Sequence, residues 1–145
     1  MKKFLIKIVL ISIVCFTSIL SLADKTVRVY SQNIRPREAF ILFYRASCPH
    51  CQRFDPVLKA YAVKHHIPVL AYTLDGRSLP SFPQSVLPSQ AEMNRFFPNG
   101  HPVVPTLFLM NLDQHKIMPV LQGEAKTYQL DQRLQQIHAL DEQNG

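Results

Sequence analysis

Apolar positions along the chain follow two periods, and the change between them marks out the elements. Residues 39–44 (Ala-Phe-Ile-Leu-Phe-Tyr) form a continuous apolar run of strand length, the pattern of a strand covered on both faces. From Pro49 onward Phe54, Val57, Leu58 and Tyr61 fall at i, i+3, i+4 and i+7, which predicts a helix to about Lys64. Pro49 suits its first turn, where a missing N–H costs nothing, and Pro56 inside it predicts a kink. His65-His66-Ile67-Pro68 closes the helix, and 69–73 reads as the next strand, completing a βαβ unit with a right-handed crossover. Residues 75–88, rich in Ser, Pro and Gly, read as loop. Ser89 followed by Glu92 fits a capping box opening a short helix that Pro98-Asn99-Gly100 stops.

The third apolar run, 103–110, is interrupted by Pro105; Asn111 to Gln114 can turn it back into an antiparallel strand over 116–121, broken by Gly123. Thr127 is placed to cap a final helix with Leu130, Leu134, Ile137 and Leu140 inward. Upstream, the alternating Thr-Val-Arg-Val-Tyr within 24–30 predicts a short edge strand, and 31–38 a connection. The order β-α-β-α-β-β-α defines an α/β class: a central mixed sheet flanked by helices on both faces.

Composition changes this picture mainly at the N-terminus. Residues 1–23 read as a secretory signal: Lys2, Lys3 and Lys7, an apolar stretch over 8–20, then Ser21-Leu22-Ala23 before Asp24. The apolar stretch is shorter than the roughly 20 residues a membrane-spanning helix needs, which favours cleavage over an anchor. Bulky Val14 argues against lipid attachment at Cys15. Residues 24–145 then form a single domain exported to the periplasm, touching the membrane only through the signal segment if that is kept. The formal charge of +6 falls to +3 without the three signal lysines, and the remaining charges are scattered singly. No basic block appears, which sets nucleic-acid binding aside.

The candidate chemistry lies where the strand run gives way to the helix run. Cys48-Pro49-His50-Cys51 contains both cysteines that remain once Cys15 leaves with the signal. A secreted domain with a single cysteine pair is not held together by disulfides, so the pair is there for chemistry. Thiol–disulfide exchange needs a thiolate, and a helix start supplies the unpaired N–H groups and dipole end that favour one at Cys48. His50 adds positive charge or a hydrogen bond, Pro49 stiffens the turn, and Cys51 becomes the resolving thiol. A CxxC can also be half a zinc site, but no second cysteine pair follows, so neither metal nor cofactor is expected. A copper- or zinc-delivery protein recruiting His65, His66 or His101 is the reading from a different class. Pro105 leaves two possibilities: a cis Val104–Pro105 bond that frees nearby polar groups for an extended substrate, or an ordinary proline at a strand start.

Taken together, the apolar strand, the Cys48–Cys51 motif, Pro56 eight residues after the first cysteine, Val104-Pro105-Thr106, Gly123 and the closing helix resemble the thioredoxin superfamily over about residues 39–140. The Pro-His pair and the Val before Pro105 are similar to the periplasmic oxidase DsbA. Phe-Tyr-Arg-Ala-Ser before the cysteines looks more like the DsbC-type isomerases that conjugative plasmids encode for pilus assembly. The resemblance implies a thioredoxin-like fold with Cys48 as nucleophile, Cys51 as resolving cysteine and Val104-Pro105 as the cis-proline loop facing them. It also implies exported proteins as mixed-disulfide partners and a membrane redox partner that recharges the pair. Oxidase or isomerase activity follows from this, with a reductase of cytochrome-maturation type as the alternative. The chain departs from thioredoxin in three places. Leu42 stands where thioredoxin has a buried acid that accepts the resolving thiol's proton, Tyr44 and Ser47 replace two tryptophans, and 76–100 is longer, an insertion expected to cover part of the substrate groove or to lie on the surface.

Overall fold

Strand β1 (Glu38–Tyr44) occupies the middle of a four-stranded sheet in the order β2-β1-β3-β4, where β2 is Val69–Thr73, β3 Thr106–Asn111 and β4 Lys116–Gln122. These elements belong to a computed structural model that describes residues 37–100 and 102–144; the predicted signal, the predicted edge strand over 24–30 and His101 lie outside the described residues. β1 pairs parallel with β2 and antiparallel with β3, which pairs antiparallel with β4. A strand with neighbours on both edges and cover on both faces must be apolar throughout, and Phe40 to Tyr44 are all buried.

The period-2 alternation of β1 divides its side chains between two cores. Phe40, Leu42 and Tyr44 join Leu107, Leu109, Met118 and Val120 against helices α1 (Pro49–His65) and α3 (Thr127–Asn144). Ile41 and Phe43 point the other way, where α2 (Gln90–Phe96) covers the sheet. There the Phe43 ring stacks on Tyr72 at 4.9 Å and meets Phe96 at 5.0 Å and Phe97 at 4.9 Å. α2 opens on the capping box read from the sequence: Ser89 Oγ accepts from Glu92 N, and the Glu92 carboxylate accepts from Ser89 N. Asn111 Oδ1 accepts from the backbone of Asp113 and Gln114 and so shapes the β3–β4 turn.

The structure corrects or extends the sequence reading at five points. The third strand starts at Thr106 rather than at Val103, because Pro105 carries no N–H for the ladder. Thr127 is the first helical residue of α3; Lys126 stands before it, its carbonyl accepting from Gln129 and Leu130 and its N–H donating to Gln129 Oε1. Leu140 is 58% exposed while Leu130, Leu134 and Ile137 are buried. Asp141 beside it pairs with Lys116, the first residue of β4, so this turn of α3 lies level with the end of the sheet. Finally, the 75–88 loop is tied to the core: Leu79 and Phe82 are buried, and Val86 pairs with β2 through Val86 N to Ala71 O and Thr73 N to Val86 O. α1 runs unbroken through Pro56.

Candidate active site

β1 delivers the chain out of the sheet into a short turn, and Cys48 is the residue that caps α1, with φ −82° and ψ 119°. At this position a Ser or Asp oxygen would accept the free N–H groups of the second and third helical residues. Pro49, first in the helix, has no N–H to satisfy, so His50 and Cys51 carry the donors. The Cys48 side chain makes no capping hydrogen bond of its own, but a thiolate there lies near these backbone donors. Burial works against it, but the backbone N–H and thiol of Cys51, the backbone of His50 and the charge of Arg53 outweigh that and lower its pKa. Cys48 is half-buried at the rim of the core, whereas Cys51 is only 1% exposed. Burial pushes the Cys51 thiol up; a backbone hydrogen bond from Arg45 opposes this, and Cys48 and Asp75 add to it, to about 12.

The other predicted site residues gather around this pair. Pro49 and His50 are exposed on the first turn of α1. His50 Nδ1 lies 2.9 Å from an Arg53 guanidinium nitrogen and 3.3 Å from Glu124 Oε1, and Arg53 donates twice to the Glu124 carboxylate, at 2.7 and 3.1 Å. Val104 offers its carbonyl to Cys48 Sγ at 3.9 Å, and the Val104–Pro105 peptide is cis. Pro105 is buried, and its carbonyl accepts from Gly123 N at 2.7 Å. Gly123 adopts φ +88°, a conformation that side-chain-bearing residues rarely take, so the end of β4 can turn and hold the Pro105 loop.

Asp75, Tyr44 and Asp55 complete the site; of these the sequence singled out only Tyr44, and only as standing where thioredoxin has a tryptophan. Asp75 reaches back from the end of β2: Oδ1 accepts from Ala46 N and Thr73 Oγ1, both at 3.1 Å, and Oδ2 from Ser47 N at 3.0 Å and Ser47 Oγ at 2.9 Å. Burial alone would raise this carboxyl, but those donors hold it well below the usual carboxylate range. Ala46 and Ser47, just before Cys48, are thereby clamped. Tyr44 is buried, and its hydroxyl donates to Ser85 Oγ at 2.6 Å and accepts from Leu79 N at 3.2 Å, fastening the 76–88 loop beside the site. Asp55, one turn after Cys51 in α1, is buried too. Lone acidic and aromatic residues carry no motif, so only the long-range contacts reveal these three. Leu42, by contrast, is part of the apolar core. Among the described residues no group of three His, Cys, Asp or Glu could hold a metal ion, and no helix is long and apolar enough to cross a membrane.

A mixed sheet in this order, with a cysteine pair opening the helix after its central strand, defines a thioredoxin-like fold. A thioredoxin-related protein from Neisseria meningitidis serogroup B shares the fold, with a TM-score of 0.51 at 13% identity over 75% of this chain and 90% of that one. In sequence, residues 20–135 match the family TraF, F plasmid transfer operon protein, and the chain belongs to that family. Protein TrbB of Escherichia coli (strain K12) is 41% identical over 83 residues, 57% of this chain and 46% of TrbB. The matched stretch thus spans about half the length of that curated relative.

Proposed function

We propose that the chain is a periplasmic thiol–disulfide oxidoreductase, an isomerase or oxidase acting on exported proteins that conjugative transfer requires, those of pilus assembly among them. The observation that carries the proposal is the inequality of the two thiols. Cys48, half-exposed and capping α1, holds its negative charge on backbone N–H groups, whereas Cys51 is buried and keeps its proton. Membership of a transfer-operon family and similarity to TrbB support the conjugative setting.

The geometry supports the following exchange. The Cys48 thiolate attacks one sulfur of a substrate disulfide; the new Cys48–substrate bond forms as the old S–S bond breaks, and the departing sulfur leaves with the electron pair. Cys51, deprotonated, then attacks Cys48 Sγ. The substrate sulfur leaves as a thiolate, and the Cys48–Cys51 disulfide remains. Run backwards, the same steps oxidise a substrate dithiol, so a membrane redox partner that withdraws or supplies electrons sets the direction. The Val104 carbonyl and exposed Val103 supply a backbone acceptor and apolar surface for an extended substrate segment.

Trapping tests this directly. In Cys51→Ser the mixed disulfide has no resolving thiol, so adducts with exported proteins accumulate, disappear under dithiothreitol, and are absent from Cys48→Ser/Cys51→Ser. A Cys51→Ser protein that accumulates no such adducts overturns the proposal.

A further inference from the structure

The exchange reading leaves a proton without a destination. Cys51 must lose it to attack Cys48, its thiol is pushed up to about 12, and Leu42 offers no acid from the strand below. Two buried or half-buried carboxylates stand near enough to matter, Asp75 and Asp55. Asp75 has both oxygens filled by the donors of Ala46, Ser47 and Thr73, with Arg77 beside them, and hydrogen bonds hold it too acidic to serve as a base. Asp55 differs. It is 4% exposed, its Oδ2 accepts from Ser81 N at 3.2 Å and Ser81 Oγ at 2.8 Å, and its Oδ1 has no partner. A buried carboxylate oxygen left unpaired is costly, and a fold normally satisfies it.

Cys51 and Asp55 are i and i+4 in α1, on one face and both buried, a spacing that brings side chains within about 5–6 Å at Cβ. Asp55 also lines a cavity of about 410 Å³ with Ala46, Gln52, Ser78, Leu79 and Pro80, polar and roomy enough for water. The remaining charged groups around the pair are Cys48, Arg53, Lys59 and Arg77. Arg53 is engaged by Glu124, Arg77 faces Asp75, and exposed Lys59 lies over the Phe82 ring. Cys48 is bonded to the substrate at this step, the other three are cations, and His50, the remaining titratable group of the turn, is exposed and engaged by Arg53 and Glu124.

We propose that Asp55 is the proton acceptor for Cys51, an inference that rests on the exchange reading above. As Cys51 attacks, its S–H proton passes through one water molecule to Asp55 Oδ1, and the sulfur electron pair forms the bond to Cys48 Sγ. The Cys48–substrate bond breaks with its pair on the substrate sulfur, which takes a proton from solvent. Asp55 returns its own proton through the cavity. In the oxidising direction Asp55 hands the proton back to Cys51 as that thiolate leaves. The acid that thioredoxin places below the site is here supplied from the helix itself.

Single-turnover kinetics separate the two steps, with formation of the Cys48–substrate disulfide followed by its resolution. Asp55→Asn leaves formation unchanged and slows resolution about 100-fold at neutral pH; the residual rate climbs with hydroxide as the thiol ionises unaided. A carboxylate acting only by its charge gives the opposite result, because its removal eases ionisation of Cys51 and speeds resolution. Asp55→Glu restores part of the rate. If Asp55→Asn does not fold, Ser81→Ala carries the test: the carboxylate loses the hydroxyl that orients it, and resolution slows while formation of the adduct is unchanged. Unchanged or faster resolution in Asp55→Asn, or unchanged resolution in Ser81→Ala, overturns the role of Asp55 while formation of the adduct leaves the exchange reading standing. Failure of the wild-type protein to form any adduct overturns both.

Discussion

At the scale of single residues, a thiolate on Cys48 falls where the free N–H groups of α1 and the Arg53 guanidinium converge, while Cys51, one turn deeper, is buried and faces the negative charge of Cys48 and Asp75, which a backbone hydrogen bond from Arg45 only partly offsets. Arg53 is shared between this site and Glu124, so the two partners act with opposite sign. Arg53→Gln raises the Cys48 pKa, and Glu124→Gln, which leaves the guanidinium uncompensated, lowers it; thiolate absorbance at 240 nm against pH measures both. The Tyr44 hydroxyl is a second residue-scale device. Tyr44→Phe strands the buried Leu79 N–H and loosens Ser85, with an expected cost of about 1–3 kcal/mol in chemical denaturation.

At the scale of elements, the turn between β1 and α1 depends on a carboxylate from the end of β2. The Asp75 pKa is depressed in the folded protein, so its stabilisation is fully present above the ordinary carboxyl value of about 3.9 and is lost as pH falls toward the folded value. Urea melts of Asp75→Asn therefore show lower stability at pH 7 and a shallower further loss on acidification than the wild type. Ser89→Ala removes the cap of α2 and costs about 1 kcal/mol. These elements were largely readable in advance. Period 2 in β1, period 3.6 in α1 and α3 and the Ser89–Glu92 box are local patterns, and local patterns survive in one dimension. Residues 75–88 form the loop that their Ser, Pro and Gly predict, but its attachment was not readable: Leu79 and Phe82 are isolated apolar residues that only the core they enter explains, and exposed Val86 is placed by its backbone bridge to β2. Leu140 was misread for the converse reason: the helical period continues into a turn of α3 level with the end of the sheet, where the side chain is 58% exposed. Asp55 and Asp75 escaped because a lone acid reads as solvent-facing until its partners are known.

At the scale of the whole molecule, one strand organises two cores and the site. β1 gives Phe40, Leu42 and Tyr44 to the face of α1 and α3, Phe43 to the aromatic cluster under α2, and then runs directly into the dithiol. Phe43→Ala, which leaves Tyr72, Phe96, Phe97 and Phe108 around an empty centre, is expected to cost about 3–5 kcal/mol in denaturant unfolding. Because the α1 face keeps its own side chains, the folded fraction retains the reactivity of Cys48. Exchange itself depends on the inequality that the fold imposes on two identical thiols, and alkylation of the reduced protein resolved by residue and pH measures it. The account predicts that Cys48 is modified at neutral pH, with a rate that titrates below the ordinary thiol value, while Cys51 stays unmodified until pH approaches about 12. Equal rates at the two cysteines, or faster modification of Cys51, would contradict it.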